Sequence, residues 1–310
     1  MAMPANLFAG PAVQTLYLAT PVATPFHFCK TTMCESQSEQ SRISLWQVDA
    51  FADRPFTGNP AAICLLDRFP HDRWMQDLAA EMNLSETAFV VPTDQANGFQ
   101  LRWFTPLVEV DLCGHATLAA AHTLYEQNRV EPSAVIRFQT RSGELICQRV
   151  GEQIMLDFPT APILDRQEPE TAEAIARALG TTPTLVARTE ADLLVVLDDP
   201  AVLRNLKPDF GRLAKIKTRG IAVTARSDQT GIDFISRFFA PRFGINEDPV
   251  TGSAHCALAP YWCGQLGVDE VVGFQASRRG GRVRCRCAGD RVELIGQAIT
   301  VMHGNFHFPP

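Results

Sequence analysis

Residues 45–51, Leu-Trp-Gln-Val-Asp-Ala-Phe, alternate in the manner of a strand. Turn chemistry follows in Thr57-Gly58-Asn59-Pro60, and the unbroken apolar run 61–66 predicts a second, buried strand. From His71 to Asn83 the period changes, with Trp74, Leu78 and Met82 recurring every four residues, which predicts a helix. The segment 83–87 is polar and reads as a loop carrying Glu86, before strands over 88–92 and 101–105. Gly114 precedes a helix over 116–127 whose first turn is nearly all small residues. A hairpin over 145–150 and 153–158 turns at Gly151.

The proline-bearing segment 159–169 is the best linker, and beyond it the plan is restated. A helix is predicted over 171–179, strands near 193–197, 221–225 and 234–239, a small-residue helix from Ser253, and a hairpin over 283–295 turning at Gly289. The punctuation repeats too: Arg102-Trp103-Phe104-Thr105-Pro106 matches Arg237-Phe238-Phe239-Ala240-Pro241, and Gly114-His115-Ala116 matches Gly252-Ser253-Ala254. The offsets are 237 − 102 = 135 and 252 − 114 = 138, and 281 − 143 = 138 aligns the two hairpins. Two similar halves are expected, with a ligand cleft between them. Many strands and few helices per half give an α+β class.

Composition narrows the function. A length of 310 residues suits two domains, and 46% hydrophobic with 20% charged residues is ordinary for a globular protein. A formal charge of −6 without a basic stripe argues against a nucleic-acid partner. No apolar run approaches a membrane span, so no membrane partner is expected. Nine cysteines, an odd number without zinc-type spacing, point to a reducing, cytoplasmic compartment and no structural metal. Residues 1–32 hold one lysine and no acid; residues 1–43 are read as a poorly structured extension that leaves organelle targeting open. No glycine-rich nucleotide loop is present.

Each half places a glycine at a helix start followed by small side chains, so free N–H groups are open to an anion. A matched pair of such ends would clamp a carboxylate. Nearby stand His115 and Asp248, and Glu86 adds a second carboxylate. Proton abstraction next to a carbonyl needs a base, an acid and donors for the developing oxyanion; Glu86, or Asp248 with His115, can fill the first two roles. His122 and His255 lie on apolar helices and are read as packed. A hydrolase set of Ser253, His255 and Asp248 lacks the nucleophile-elbow pattern, and residues two apart on a helix do not face each other. Cys113 beside a helix N-terminus could serve a two-base racemase, but the repeat puts Thr251 where its mate should be (113 + 138 = 251).

Taken in order, these segments resemble the PhzF-like phenazine-biosynthesis family, relatives of diaminopimelate epimerase. The matching motifs are Val48-Asp49-Ala50-Phe51, Phe56-Thr57-Gly58-Asn59-Pro60-Ala61-Ala62, Asn83-Leu84-Ser85-Glu86-Thr87-Ala88-Phe89 and Arg102-Trp103-Phe104-Thr105-Pro106. Cys113-Gly114-His115-Ala116-Thr117 and Asp248-Pro249-Val250-Thr251-Gly252-Ser253-Ala254 complete the set. The resemblance implies two pseudo-symmetric domains, each a curved, mostly antiparallel sheet wrapped around a central helix. They would comprise residues 44–160 with a returning strand at 298–310, and residues 161–297. It implies a homodimer and an isomerase that needs no metal or organic cofactor and acts on a small carboxylate-bearing substrate. Glu86 would be the general acid/base, with His115 and Asp248 in the catalytic set. The backbones of Gly114 and Gly252, with Ser253 and Cys113, would contact the substrate. Cys113 is followed by Gly-His-Ala-Thr, a departure from the phenazine enzyme itself, so the phenazine substrate does not carry over. Two alternatives stand beside this reading: a metabolite-binding protein without turnover, and an amino-acid racemase or epimerase using Cys113.

Overall fold

A computed structural model describes residues 42–307. The expected N-terminal extension lies outside the described residues up to position 41, and the first strand opens at Arg42. The first half runs β1 (Arg42–Ala50), β2 (Asn59–Leu65), α1 (Asp72–Met82), β3 (Glu86–Pro92), β4 (Gly98–Phe104) and β5 (Glu109–Val110). It continues with α2 (Gly114–Glu126), β6 (Ile136–Thr140), β7 (Gly143–Val150) and β8 (Gln153–Pro159). The second half runs β9 (Asp165–Arg166), α3 (Pro169–Leu179), β10 (Leu185–Arg188), β11 (Asp192–Val196), α4 (Pro200–Arg204) and α5 (Phe210–Leu213). Then come β12 (Gly220–Arg226), β13 (Phe234–Ala240), β14 (Ile245–Asp248), α6 (Gly252–Leu266), β15 (Glu270–Gln275), β16 (Gly281–Ala288), β17 (Arg291–Gly296) and β18 (Ala298–His307).

The two halves pair their strands identically. β1–β2 and β10–β11 are antiparallel, β2–β3 and β11–β12 parallel, β3–β4 and β12–β13 antiparallel, β4–β6 and β13–β15 parallel, and each half closes with an antiparallel three-strand run. The halves join where β8 lies antiparallel to β17, with Leu156 opposite Leu294, and β18 returns beside β1, with Ala50 opposite Ala298. Residues 308–310 of the expected returning strand lie outside the described residues. The linker is less irregular than expected, because β9 pairs with β10 inside it.

α2 packs against β1, β2, β3 and β8, strands from both ends of its half, so the sheet curls around the helix. α6 is enclosed in the same way by β11, β12, β15, β16 and β17. A helix wrapped on all sides has to be apolar on all sides, and α2 buries every residue from Gly114 to Tyr125 except His122, which is partly exposed. Alternation along the strands feeds two layers: Ala61 and Ile63 of β2 face α2, while Ala62 and Cys64 face α1 with Met75, Leu78 and Phe89. The outer cover of the second half is built from α3, α4 and α5 through Ile175, Leu203 and Leu213.

The repeated Arg-aromatic-Phe punctuation has a structural cause. Arg102 on β4 grips Glu109 of β5 with two hydrogen bonds of 2.7 and 2.8 Å, and its guanidinium lies 5.2 Å from the Phe104 ring. Arg237 repeats this with Glu247 of β14 at 2.7 and 2.9 Å, over Phe239 at 5.1 Å. Each clamp fixes the short strand that delivers the chain to the buried helix. The spacing grows from 109 − 102 = 7 to 247 − 237 = 10, and these three extra residues change the repeat offset from 135 to 138.

Candidate active site

The starts of α2 and α6 meet head to head. A Cβ built on Gly114 would lie 3.2 Å from the Cα of Gly252, and one on Gly252 equally close to the Cα of Gly114. Bare backbone is what permits this approach, and it brings both sets of free helical N–H groups to one place. Ser253, the second residue of α6, holds its hydroxyl at this junction, and its Oγ accepts from Arg219 at 3.1 Å.

Glu86 is the first residue of β3 rather than part of a loop; parallel pairing sets it opposite Ala61 of β2, near Asn59. Two polar side chains of the stretch that reads as a loop, Ser85 and Glu86, face the site. Glu86 Oε2 lies 3.0 Å from Nε2 of His115, and both side chains are buried. Both atoms are buried, and neither has a hydrogen-bond partner among the described residues. Such orphaned polar atoms are costly and call for an explanation, and a proton-exchanging ligand supplies one.

Around the imidazole, Nδ1 faces Asn59 Nδ2 at 3.2 Å and Cys113 Sγ at 3.5 Å. The amide donates its two hydrogens over the shorter contacts, to Asp248 Oδ1 at 2.8 Å and to the Val250 carbonyl at 2.9 Å. Asn59 Oδ1 in turn accepts from Ser85 Oγ at 2.9 Å. Asn59 thus ties β2, α2 and β14 into one fully buried junction. Asp248 Oδ2 also accepts from Thr251 Oγ1, and Gln275 Nε2 donates to its backbone carbonyl at 2.7 Å.

Burial raises the Asp248 carboxyl to about 6, opposed by the nearby His115 charge. Burial works against charge on His115, yet Cys113 and Glu86 favour it more, and the net direction is well upward. The Cys113 thiol is pushed up to about 11 by burial and by the Glu86 charge, so it stays protonated at neutral pH. With both amide hydrogens committed elsewhere, the Cys113 thiol is the donor left beside Nδ1, so a neutral ring carries its proton on Nε2, aimed at Glu86.

The residues singled out from sequence therefore converge: Glu86, His115, Cys113, Gly114, Asp248, Gly252 and Ser253 line one site. The hydrolase set does not form. Ser253 bonds Arg219, and His255 Nδ1 donates to the Thr251 carbonyl at 2.8 Å. His255 is buried and its Nε2 has no hydrogen-bond partner among the described residues, so it is only half satisfied; His122 is partly exposed and lies 3.2 Å from Thr300 Oγ1. Sequence reasoning missed Asn59, Arg219 and Gln275. For Asn59 the signal was present but read as turn chemistry. Glu86, Cys113 and His115 also present donor atoms within 4.8 Å of one another, a set that could hold a cation with all three deprotonated or neutral as required. As they stand, these groups are turned toward each other, which suits proton exchange. Among the described residues, no helix is long and apolar enough to cross a membrane.

A family profile described as phenazine biosynthesis-like protein matches residues 48–304. A Pseudomonas aeruginosa protein called an uncharacterized isomerase is 50% identical over 266 residues, 86% of this chain and 99% of that one. The crystal structure of a PhzF-family protein from Enterococcus faecalis is 39% identical and superposes with a TM-score of 0.79 over 86% of this chain and all of that one. A hydroxyproline epimerase from Agrobacterium vitis, 11% identical over 87% of this chain and 94% of that one, shares the fold at a TM-score of 0.55. The chain is an isomerase on an epimerase-like α+β fold. By the span of its motifs and the extent of this likeness, it belongs to the phenazine biosynthesis-like (PhzF) family.

Proposed function

We propose that this isomerase needs no cofactor and shifts a proton on a small carboxylate-bearing substrate, with Glu86 as general acid/base. The observation that carries the reading is the buried contact of Glu86 Oε2 with His115 Nε2 at 3.0 Å, neither atom having a hydrogen-bond partner among the described residues. The substrate carboxylate is placed against the N–H groups at Gly114 and Gly252 and the Ser253 hydroxyl. Glu86 takes the proton from a carbon activated by the unsaturated or acidic group; the C–H electron pair moves into that group, and its oxygen is stabilised by the facing N–H donors. Return of the proton from Glu86 to a different carbon, or to the other face, completes an isomerisation with no atom gained or lost. His115 steadies the carboxylate electrostatically from 3.0 Å away, and Asp248 holds the network through Asn59. In this reading residues 44–160 with the returning strand, and 161–297, act as two domains sharing the cleft.

A Cys113 base is less well supported: its thiol holds its proton up to about 11, and Thr251 stands at the mate's position. The seven described cysteines are all free thiols, which supports a reducing, cytoplasmic setting. The test is a thermal-shift screen of small carboxylates, then incubation of each hit in heavy water. Wild-type protein is expected to add one deuterium to the substrate; binding without any exchange would favour the non-catalytic alternative.

A further inference from the structure

The second half carries a charged pair next to the position that corresponds to the first half's acid/base. Phe104 and Phe239 are repeat mates (239 − 104 = 135). Thr87 pairs with Phe104 and Ile221 with Phe239, so Glu86 at the start of β3 corresponds to Gly220 at the start of β12. By parallel pairing Glu86 faces Ala61 and Gly220 faces Asp192. A cation and its carboxylate, Arg219 and Asp192, thus occupy the positions taken by Ser85 and Ala61 across the pseudo-twofold.

The pair is built rather than incidental. Asp192 is a buried residue; it accepts from Arg219 Nε at 2.9 Å and from Nη2 at 2.5 Å. Nη2 also reaches Ser253 Oγ at 3.1 Å, which sets the guanidinium plane beside the start of α6. Nη1 has no partner among the described residues, and the side chain is 41% exposed. Gly220 keeps the strand start in place here, because a Cβ on it would stand 2.0 Å from the Phe238 ring. Asp248 is near enough for its charge to act on Arg219, which puts the guanidinium within the electrostatic reach of the site. One fork edge is committed to Asp192, and on the other Nη2 meets Ser253 while Nη1 is open, so the side chain is oriented before any ligand arrives.

We infer that Arg219 is a substrate-anchoring residue: its open Nη1 edge, beside Ser253, binds an oxygen of the substrate's carboxylate, and Asp192 is the positioning residue that aims it. The inference rests on the reading of the cleft as a carboxylate site and adds the group that selects charge over shape. Backbone N–H groups and a serine hydroxyl can also donate to the oxygen of a neutral amide; a fixed guanidinium adds a full charge that favours the carboxylate further.

Isothermal titration of the full chain with benzoate and with benzamide, equal in size and different in charge, tests this. Wild-type protein should prefer benzoate by about tenfold or more, the scale of one charge-assisted hydrogen bond. Arg219→Gln should bind both equally, Arg219→Lys should keep part of the preference, and Asp192→Asn should weaken benzoate alone. A merely structural ion pair would lower both affinities together. No preference in wild type, or an unchanged benzoate-to-benzamide ratio in Arg219→Gln and Arg219→Lys, overturns the inference. Glu86→Gln should retain the preference, so the anchor and the proton-transfer role can fail separately: the first in titration, the second in heavy-water exchange.

Discussion

The Cα of Gly252 lies 3.2 Å from where a Cβ on Gly114 would stand, so two helix N-termini meet through backbone alone. Everything proposed for the site depends on that approach, because a side chain between the ends would both separate them and cap their N–H groups. Gly252→Val should cost about 1–3 kcal/mol of stability, as overpacking does, and should weaken carboxylate binding by more than the stability loss explains. Denaturant titration and ligand titration of the same sample check this. A variant with native midpoint and native affinity would mean that the contact is not needed.

Cys113 provides a second test, because burial and the Glu86 charge hold its thiol at about 11. Alkylation by iodoacetamide at pH 7.5 is expected to be slow at this position and to rise steeply only above about pH 10. Cys113→Ser should retain heavy-water exchange. Fast inactivation at neutral pH together with an inert Cys113→Ser protein would restore the thiol-base racemase.

His255 makes stability depend on pH. Burial lowers its pKa from 6.5 to about 4, partly offset by its bond to the Thr251 carbonyl. Between those values the unfolded chain binds a proton that the folded chain does not, so folding weakens as pH falls. The loss should begin near pH 6.5, end near pH 4 and amount to about 3 kcal/mol. Urea midpoints of wild type and His255→Gln across that window give the difference; parallel curves would contradict it.

The donor set of Glu86, Cys113 and His115 could also be read as a cation site, and removal experiments separate the two readings. Exhaustive dialysis against a chelator is expected to leave deuterium exchange unchanged. Activity lost on dialysis and restored by zinc would place a metal ion among these residues instead.

Much of this was legible in the chain because the repeat is written in residues whose roles are local. The hairpins turn at Gly151 and Gly289, both at positive φ, as the glycine spacing suggested. The paired arginines and helix-start glycines marked the symmetry, and the cleft residues clustered around them. Asn59 was hidden because Thr-Gly-Asn-Pro carries a turn signal that masks a side chain reaching 189 positions along the chain, to Asp248. Arg219 and Asp192 were hidden for a related reason: each is an unremarkable charge at the end of a short apolar strand, and only the register of β11 with β12 brings them to the site. Glu86 was misplaced into a loop because polarity usually signals solvent, whereas here it signals a buried polar site.

The account stands most directly on Glu86. For any carboxylate that wild-type protein labels in heavy water, the exchange rate should be followed by mass spectrometry or proton NMR in wild type and in Glu86→Gln, beside the dissociation constant of each. The expected result is a fall in exchange of about 100-fold or more, the scale of a lost general base, with affinity within a few-fold of wild type. Exchange at the wild-type rate in a folded Glu86→Gln protein would contradict the assignment.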